Sequence, residues 1–171
     1  VDHRKKFVDV LSIESVLDKR KEKGLKKLEV PVIIMAGGKG TRMEPFTNIL
    51  PKPLIPVHEK TIIEHIIDSF LQIGISTFYL TINYKSNIMK AYFKELKPKY
   101  DLNFIKEKQP LGTAGSLGLI NKKFKDPFFV TNCDIIIKFD YLSLYEFHLD
   151  GNYDLTLVAS AKEINIPYGT C

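Results

Sequence analysis

Between Val32 and Val57 an apolar strand pattern runs into Ala36-Gly37-Gly38-Lys39-Gly40-Thr41-Arg42 and then into Pro51-Lys52-Pro53-Leu54-Ile55-Pro56-Val57, and no other stretch restricts the chain as much. Three glycines within four positions free the backbone for positive φ and remove Cβ atoms, so several N–H groups can face one anion at close range. Pro45, Pro51, Pro53 and Pro56 then remove amide donors and fix φ. A long regular helix is barred after the loop, and the chain must lie extended over whatever the glycines hold. With Arg42 and Lys52 adding two cations, the stretch reads as a cradle for a triphosphate.

Two commoner phosphate loops do not fit. A Walker loop needs Gly-Lys followed by Ser or Thr, whereas the Gly-Lys here is followed by Gly40. A dinucleotide loop needs a third small residue three positions after its second glycine, and Met43 stands there, too bulky for close packing of helix on strand.

The pattern along the chain alternates strands and helices. A strand over Phe7–Leu11, Ser12 as N-cap and a helix from Ile13 to about Lys23 are expected first, then a linker at Glu29-Val30-Pro31 and a strand over Val32–Met35. Thr61–Ile73 places Ile62, Ile63, Ile66, Ile67, Phe70 and Leu71 on one helical face and stops at Gly74. A strand over Thr77–Ile82 follows, then a helix capped by Ser86 with Ile88, Met89, Tyr92, Phe93 and Leu96 inward. Asn103–Ile105 reads as extended, Thr113–Asn121 as helix and Phe128–Thr131 as a central strand. Tyr141–Leu149 reads as helix and Asp154–Ala161 as strand. Such alternation implies a mostly parallel, Rossmann-like sheet with helices on both faces, a three-layer α/β/α domain whose ligand crevice lies beyond the carboxyl ends of the strands.

The residues that carry chemistry fall at those ends. Asp134 closes an apolar strand, where a carboxylate needs a cation such as Mg²⁺ or serves as a cap for the following element. Glu107 is an acceptor-only group that can take N1–H and N2–H₂ of guanine side by side, unless it is a solvated strand residue with Gly112-Thr113 as a helix cap. Lys52, pre-set by flanking prolines, can be aimed at an anion with little ordering cost. Lys39 reads as solvated.

The net charge of +5 does not imply a nucleic-acid partner. Lys19, Arg20, Lys21, Lys23, Lys26 and Lys27 against Glu22 make up the whole excess, as a Lys-rich helix end and linker would. At 171 residues and 44% hydrophobic, the chain can bury one ordinary core and contains no membrane-spanning run. Starting at Val1 with no signal pattern, it reads as a piece of a larger cytoplasmic protein. Cys133, Cys171 and the four His residues have no spacing typical of zinc or redox sites.

The segment 35–57 resembles the signature of the sugar-phosphate nucleotidyltransferases, also called nucleotide-sugar pyrophosphorylases, and in particular those like mannose-1-phosphate guanylyltransferases. Their pattern is Leu-Ala-Gly-Gly-x-Gly-Thr-Arg-Leu-x-Pro-x-Thr, then Pro-Lys-Pro-Leu-x-Pro-Val, with Met35 and Met43 here in the two leucine places. Glu107-Lys108-Gln109-Pro110-Leu111-Gly112-Thr113-Ala114-Gly115-Ser116 resembles their second signature. The resemblance covers roughly 30–171 and implies the nucleotide-diphospho-sugar transferase fold, truncated on its C-terminal side. It implies nucleotide binding by Met35, Ala36, Gly37, Gly38, Gly40, Thr41, Glu107, Gly112 and Thr113, and catalytic roles for Arg42 and Lys52. Asp134 would bind Mg²⁺, with Asn132 and Gly169 on the sugar side. The implied substrates are a nucleoside triphosphate, GTP being favoured by Glu107, and a sugar 1-phosphate, in a chain that binds neither nucleic acid nor membrane and could form a homo-oligomer. A non-catalytic nucleotide-binding regulatory subunit and a cytidylyltransferase acting on phosphocholine are the alternatives. Residues 1–29 form a separate extension, in which Val8–Leu17 resembles the closing strand and helix of a cystathionine β-synthase-type (CBS) module, with Ser12 and Ser15 where such modules often carry Thr and Asp.

Overall fold

The computed structural model describes residues 28–159 except 110, 113, 121 and 122. The expected strand and helix within residues 7–23, and with them the CBS-like segment, lie outside the described residues. The chain separates into two compact units, Val1–Lys138 and Phe139–Cys171.

In the first unit four parallel strands form one sheet: β1 (Val32–Ala36), β4 (Thr77–Ile82), β5 (Asp101–Lys106) and β6 (Phe129–Asn132), in the order β5-β4-β1-β6. A two-residue hairpin, β2 (Pro56–Val57) with β3 (Lys60–Thr61), precedes helix α1 (Ile62–Leu71), and α2 (Ser86–Leu96) links β4 to β5. Register pairs Ile34 with Leu80 and Thr131, and Leu80 with Phe104, so these side chains share a face. Phe70 of α1 packs on Phe129 at 5.4 Å between ring centroids and Phe93 of α2 on Phe104 at 6.0 Å, which puts both helices over that face. Tyr79 points to the opposite face and meets Phe124. The core lies under the helices: Val32, Ile34, Ile63, Ile67, Phe70, Phe78 and Leu80 are all buried.

Helix α1 shows why it begins where it does. Thr61 Oγ1 accepts from Glu64 N, and Glu64 Oε2 accepts from Thr61 N (2.8 Å), a reciprocal capping box. Tyr92 of α2 donates to the same Glu64 oxygen (2.7 Å), tying the two helices together. Burial works against ionisation of Glu64, but the hydrogen bonds from Tyr92 and Thr61 outweigh it and hold its carboxyl below the usual range. At the other end Gly74 takes φ 87°, and Ile75 N returns to Phe70 O.

Several elements differ from the sequence reading. Ser86 does not cap α2. Lys85, at φ 51°, starts the helix one residue earlier, and its carbonyl accepts from Ile88 N and Met89 N. Of the expected inward face of α2, Met89 and Phe93 are buried, whereas Ile88 and Leu96 are exposed. The helix expected over Thr113–Asn121 is a 3₁₀ turn at Gly115–Leu119, because Gly115 and Gly118 weaken a regular helix and Gly112 enters it at φ 78°. The strand expected over Phe128–Thr131 is β6, Phe129–Asn132, one residue later, and it lies at the edge of the sheet among the described residues, not at its centre, with Val130 41% exposed. An apolar run reports how much of a strand is covered, while its place in the sheet is set by pairing.

In the second unit α3 (Tyr141–Asp150) is capped by Asp140, whose Oδ1 accepts from Leu142 N and Ser143 N at 3.1 Å. The strand expected over Asp154–Ala161 is not formed across residues 154–159, since no described strand pairs with it; Thr156 Oγ1 instead meets His148 Nδ1 of α3 at 2.9 Å. No helix among the described residues is long and apolar enough to cross a membrane.

Loss of the capping box should be measurable. Thr61→Ala should destabilise the full-length protein by about 1 kcal/mol in urea denaturation at pH 7. Because the native Glu64 pKa is depressed, its ionised contribution is present above the unfolded value, so the advantage of wild type over Glu64→Gln should hold above about pH 5 and fade as pH falls through the native pKa. An advantage that grows on acidification would contradict this assignment.

Candidate functional site

From β1 the chain moves outward to β4 and β5, then returns to β6 on the other flank of β1, so the carboxyl end of β1 is the switch point of the sheet. A cleft of about 340 Å³ opens there. Its wall comes from the loop after β1 (Met35, Gly37, Gly38, Gly40), from Lys52, from the segment after β5 (Glu107, Leu111, Gly112, Ser116) and from the end of β6 (Asn132, Cys133, Asp134).

A chain of contacts orders these groups. The Glu107 carboxylate sits against the first loop glycine so closely that a Cβ on Gly37 would lie 2.5 Å from Oε1. Glu107 is only 5% exposed; its backbone N donates to Ile82 O and its carbonyl accepts from Asn83 Nδ2. It is therefore not a solvated strand residue. Among the described residues nothing hydrogen-bonds its carboxylate. At the far end of the loop Gly40 takes φ 71°, and a Cβ there would meet Thr47 Cγ2 at 2.9 Å and Lys52 Cβ at 3.0 Å. Thr47, fully buried, donates from Oγ1 to Gly40 O (3.1 Å) and pins the turn. Of the three loop glycines only Gly40 uses the left-handed region; Gly37 is required by the closeness of Glu107, and Gly38 stands open on the cleft.

Lys52 occupies a 3₁₀ turn, Lys52–Leu54, between Pro51 and Pro53, and its stem lies against Gly40. Its ammonium donates to Asp134 Oδ2 in an ion pair, with both side chains partly accessible from the cleft. Cys133, between Asn132 and Asp134, is buried, and its amide donates to Met35 O (3.2 Å). Burial, with the Asp134 charge adding to it and Lys52 opposing, pushes the Cys133 thiol up to about 12, so it stays protonated at neutral pH and is no nucleophile.

Of the residues singled out from the sequence, Met35, Gly37, Gly38, Gly40, Lys52, Glu107, Gly112, Asn132 and Asp134 meet at this cleft. Ala36 is buried at the end of β1 and forms no part of the described wall. Thr41 and Arg42 are exposed and also stand outside that wall, because the bonds Met43 N to Gly40 O and Glu44 N to Thr41 O wind them into a separate 3₁₀ turn. Thr113 and Gly169 lie outside the described residues. Leu111, Ser116 and Cys133 line the cleft without having been singled out. Each follows a strand on the carboxyl side of the sheet, and that rule was the signal that could have found them.

Residues 31–171 match the model of the nucleotidyl transferase family. A mannose-1-phosphate guanyltransferase of Yarrowia lipolytica is 39% identical over 142 residues, 80% of this chain and 39% of that protein. A probable mannose-1-phosphate guanylyltransferase 1 of Oryza sativa is 34% identical over 143 residues, 80% of this chain and 40% of that protein. The chain thus spans about two fifths of the length of these relatives. The crystal structure of HddC from Yersinia pseudotuberculosis complexed with GMP-PN is similar with a TM-score of 0.61 at 29% identity, over 71% of this chain and 55% of that one. UDP-glucose pyrophosphorylase complexed with UDP-glucose, with a TM-score of 0.61 at 18% identity over 73% and 55%, shares the fold.

The two loop positions should respond differently to a methyl group. Gly40→Ala, forced into φ 71° and against Thr47 and Lys52, should cost roughly 1–2 kcal/mol or more of stability. Gly38→Ala, whose Cβ meets nothing within 4 Å, should stay within about 0.5 kcal/mol of wild type. Equal urea midpoints for the two variants would refute the described turn.

Proposed function

Because the chain belongs to the nucleotidyl transferase family, we propose that it forms the nucleotide-binding part of an enzyme that joins the nucleoside monophosphate of GTP to a sugar 1-phosphate and releases pyrophosphate. The observation that carries this reading is the polarity of the cleft. A buried carboxylate, Glu107, which nothing hydrogen-bonds among the described residues, stands at the β5 end, and Lys52 with Asp134 stands at the β6 end. The glycine turn runs between them, with Gly37 against the Glu107 carboxylate and Gly40 against the Lys52 stem. A base at one end and phosphates at the other suits an extended nucleoside triphosphate.

Glu107 supports guanine. A carboxylate only accepts hydrogen bonds, so N1–H and N2–H₂ can both be met, whereas uracil and thymine present one N–H between two carbonyls. The names of the yeast and rice relatives, and the GMP-PN bound to HddC, point to the same base.

In the reaction an oxygen of the sugar 1-phosphate attacks the α-phosphorus, the bond from that phosphorus to the α–β bridging oxygen breaks, and pyrophosphate departs. The nucleophile is already an anion, so no side chain has to remove a proton from it. What the protein must supply is positioning and neutralisation of the charge that develops on the phosphoryl oxygens. Lys52 would exchange its Asp134 partner for the α-phosphate and the incoming sugar phosphate. Arg42, exposed beside the loop, would serve the β- and γ-phosphates by folding over the cleft. Asn132, on the wall next to Asp134, and Gly169 belong to the sugar side.

The donor set suits Mg²⁺ arriving with the triphosphate. Among the described residues no group of three or more His, Cys, Asp or Glu could hold a metal alone, and at the phosphate end Asp134 is the one carboxylate on the described wall. Mg²⁺ is commonly held by one or two carboxylates plus substrate phosphates and water. Bound there, it would neutralise phosphate charge.

In the full-length protein, Lys52→Ala, Arg42→Ala and Asp134→Asn should each lower kcat/KM for pyrophosphate release by about 10²–10³, by analogy with removal of one oxyanion-hole donor. Near-normal turnover would remove that residue from the mechanism. A panel of four nucleoside triphosphates with several sugar 1-phosphates tests the base: GTP should be preferred, and Glu107→Gln should narrow its lead over UTP. Turnover with UTP or CTP but not GTP would end this reading.

A further inference from the structure

The cleft wall after β5 carries a second polar side chain besides Glu107. Ser116 is 1% exposed and lines the cleft. Among the described residues its hydroxyl has no hydrogen-bond partner, yet it is not sealed off; the sealed, unpartnered side-chain atom of the described residues is Thr81 Oγ1, inside the sheet. The hydroxyl therefore opens on the cleft. The turn bearing it is closely packed, since a Cβ on Gly115 would lie 2.8 Å from Leu111 Cβ, so Ser116 is held on the same wall as Leu111 and Gly112. A buried hydroxyl left unpaired costs roughly 1–3 kcal/mol, which an alanine would avoid. A partner that arrives with the ligand removes that penalty.

We propose that Ser116 is a specificity-determining residue, whose hydroxyl donates a hydrogen bond to the acceptor edge of the guanine base, at O6 or N7, while Glu107 accepts from N1–H and N2–H₂. The inference rests on the GTP reading above and deepens it. A carboxylate cannot satisfy O6 or N7, because it has no proton to give. On the described wall Ser116 is the side-chain donor at the Glu107 end, Lys52 belonging to the opposite end. The two groups divide the work. Glu107 rejects adenine, whose bare N1 would face the carboxylate, and Ser116 strengthens the hold on guanine.

The test is calorimetric titration of the full-length protein, without sugar phosphate, with GTP, 6-thio-GTP, whose sulfur is a poor acceptor, and 7-deaza-GTP, which lacks N7. Ser116→Ala should weaken GTP binding about 3- to 10-fold, and this loss should shrink with at least one of the two analogues. Ser116→Cys, close in size but a weak donor, should behave like Ser116→Ala and covers the case in which the alanine variant does not fold. Unchanged GTP affinity in both variants, with Glu107→Ala still weakening it, would overturn the role of Ser116 and leave the GTP reading standing. An equal loss for all three nucleotides would make the hydroxyl structural. Wild-type protein that binds UTP but not GTP would overturn both.

Discussion

The turn from Gly37 to Gly40 is the ruler on which the cleft depends. One end has no room for a side chain because the Glu107 carboxylate lies against it, and the other has none because Thr47 and Lys52 do. Two groups of opposite charge, brought in by different parts of the chain, are thereby set at fixed places along one short backbone segment. The turn is held from below by β1, whose Val32, Ile33 and Ile34 are wholly buried between β4 and β6. Any slip of β1 against its neighbours would carry the glycines away from both Glu107 and Lys52.

Charge is arranged with similar economy. Asp134 lies just beyond β6 beside a buried thiol, a poor place for a lone anion, and the Lys52 ammonium meets it. Each partner of that pair is only partly accessible, so each can be reached by a competing ion from the cleft. Under the proposed function a phosphate would compete for the ammonium and a cation for the carboxylate, so ligands of the two kinds would favour one another. Glu107, by contrast, has no described cation on it, which would suit the acceptor role proposed for it toward a neutral base.

Much of the first unit was legible because its elements are locally consistent. The apolar face of α1, its start at Thr61 and its stop near Gly74 all agree with one helix, and β4 falls on Thr77–Ile82 as the alternation suggested. The less legible places are those where a distant contact decides. Ser86 looked like a cap, but Lys85, whose Nζ donates to Asn48 O, takes the left-handed conformation first. Phe128–Thr131 looked central, yet the described pairing leaves it at the edge. Residues 154–159 have strand-like composition and no strand partner among the described residues, and composition alone cannot make a ladder.

Sequence alone determined the family, the parallel architecture and most of the groups on the cleft wall, because backbone demands there leave few residue choices: glycine where a side chain would collide, proline where φ must be set. Tertiary structure decided which of those groups meet. It joined Lys52 to Asp134 across 82 residues, placed Arg42 outside the wall, and added Ser116, Leu111 and Cys133 to it. These outcomes depend on how loops from separate strands pack against one another, a property that no local pattern of residues encodes.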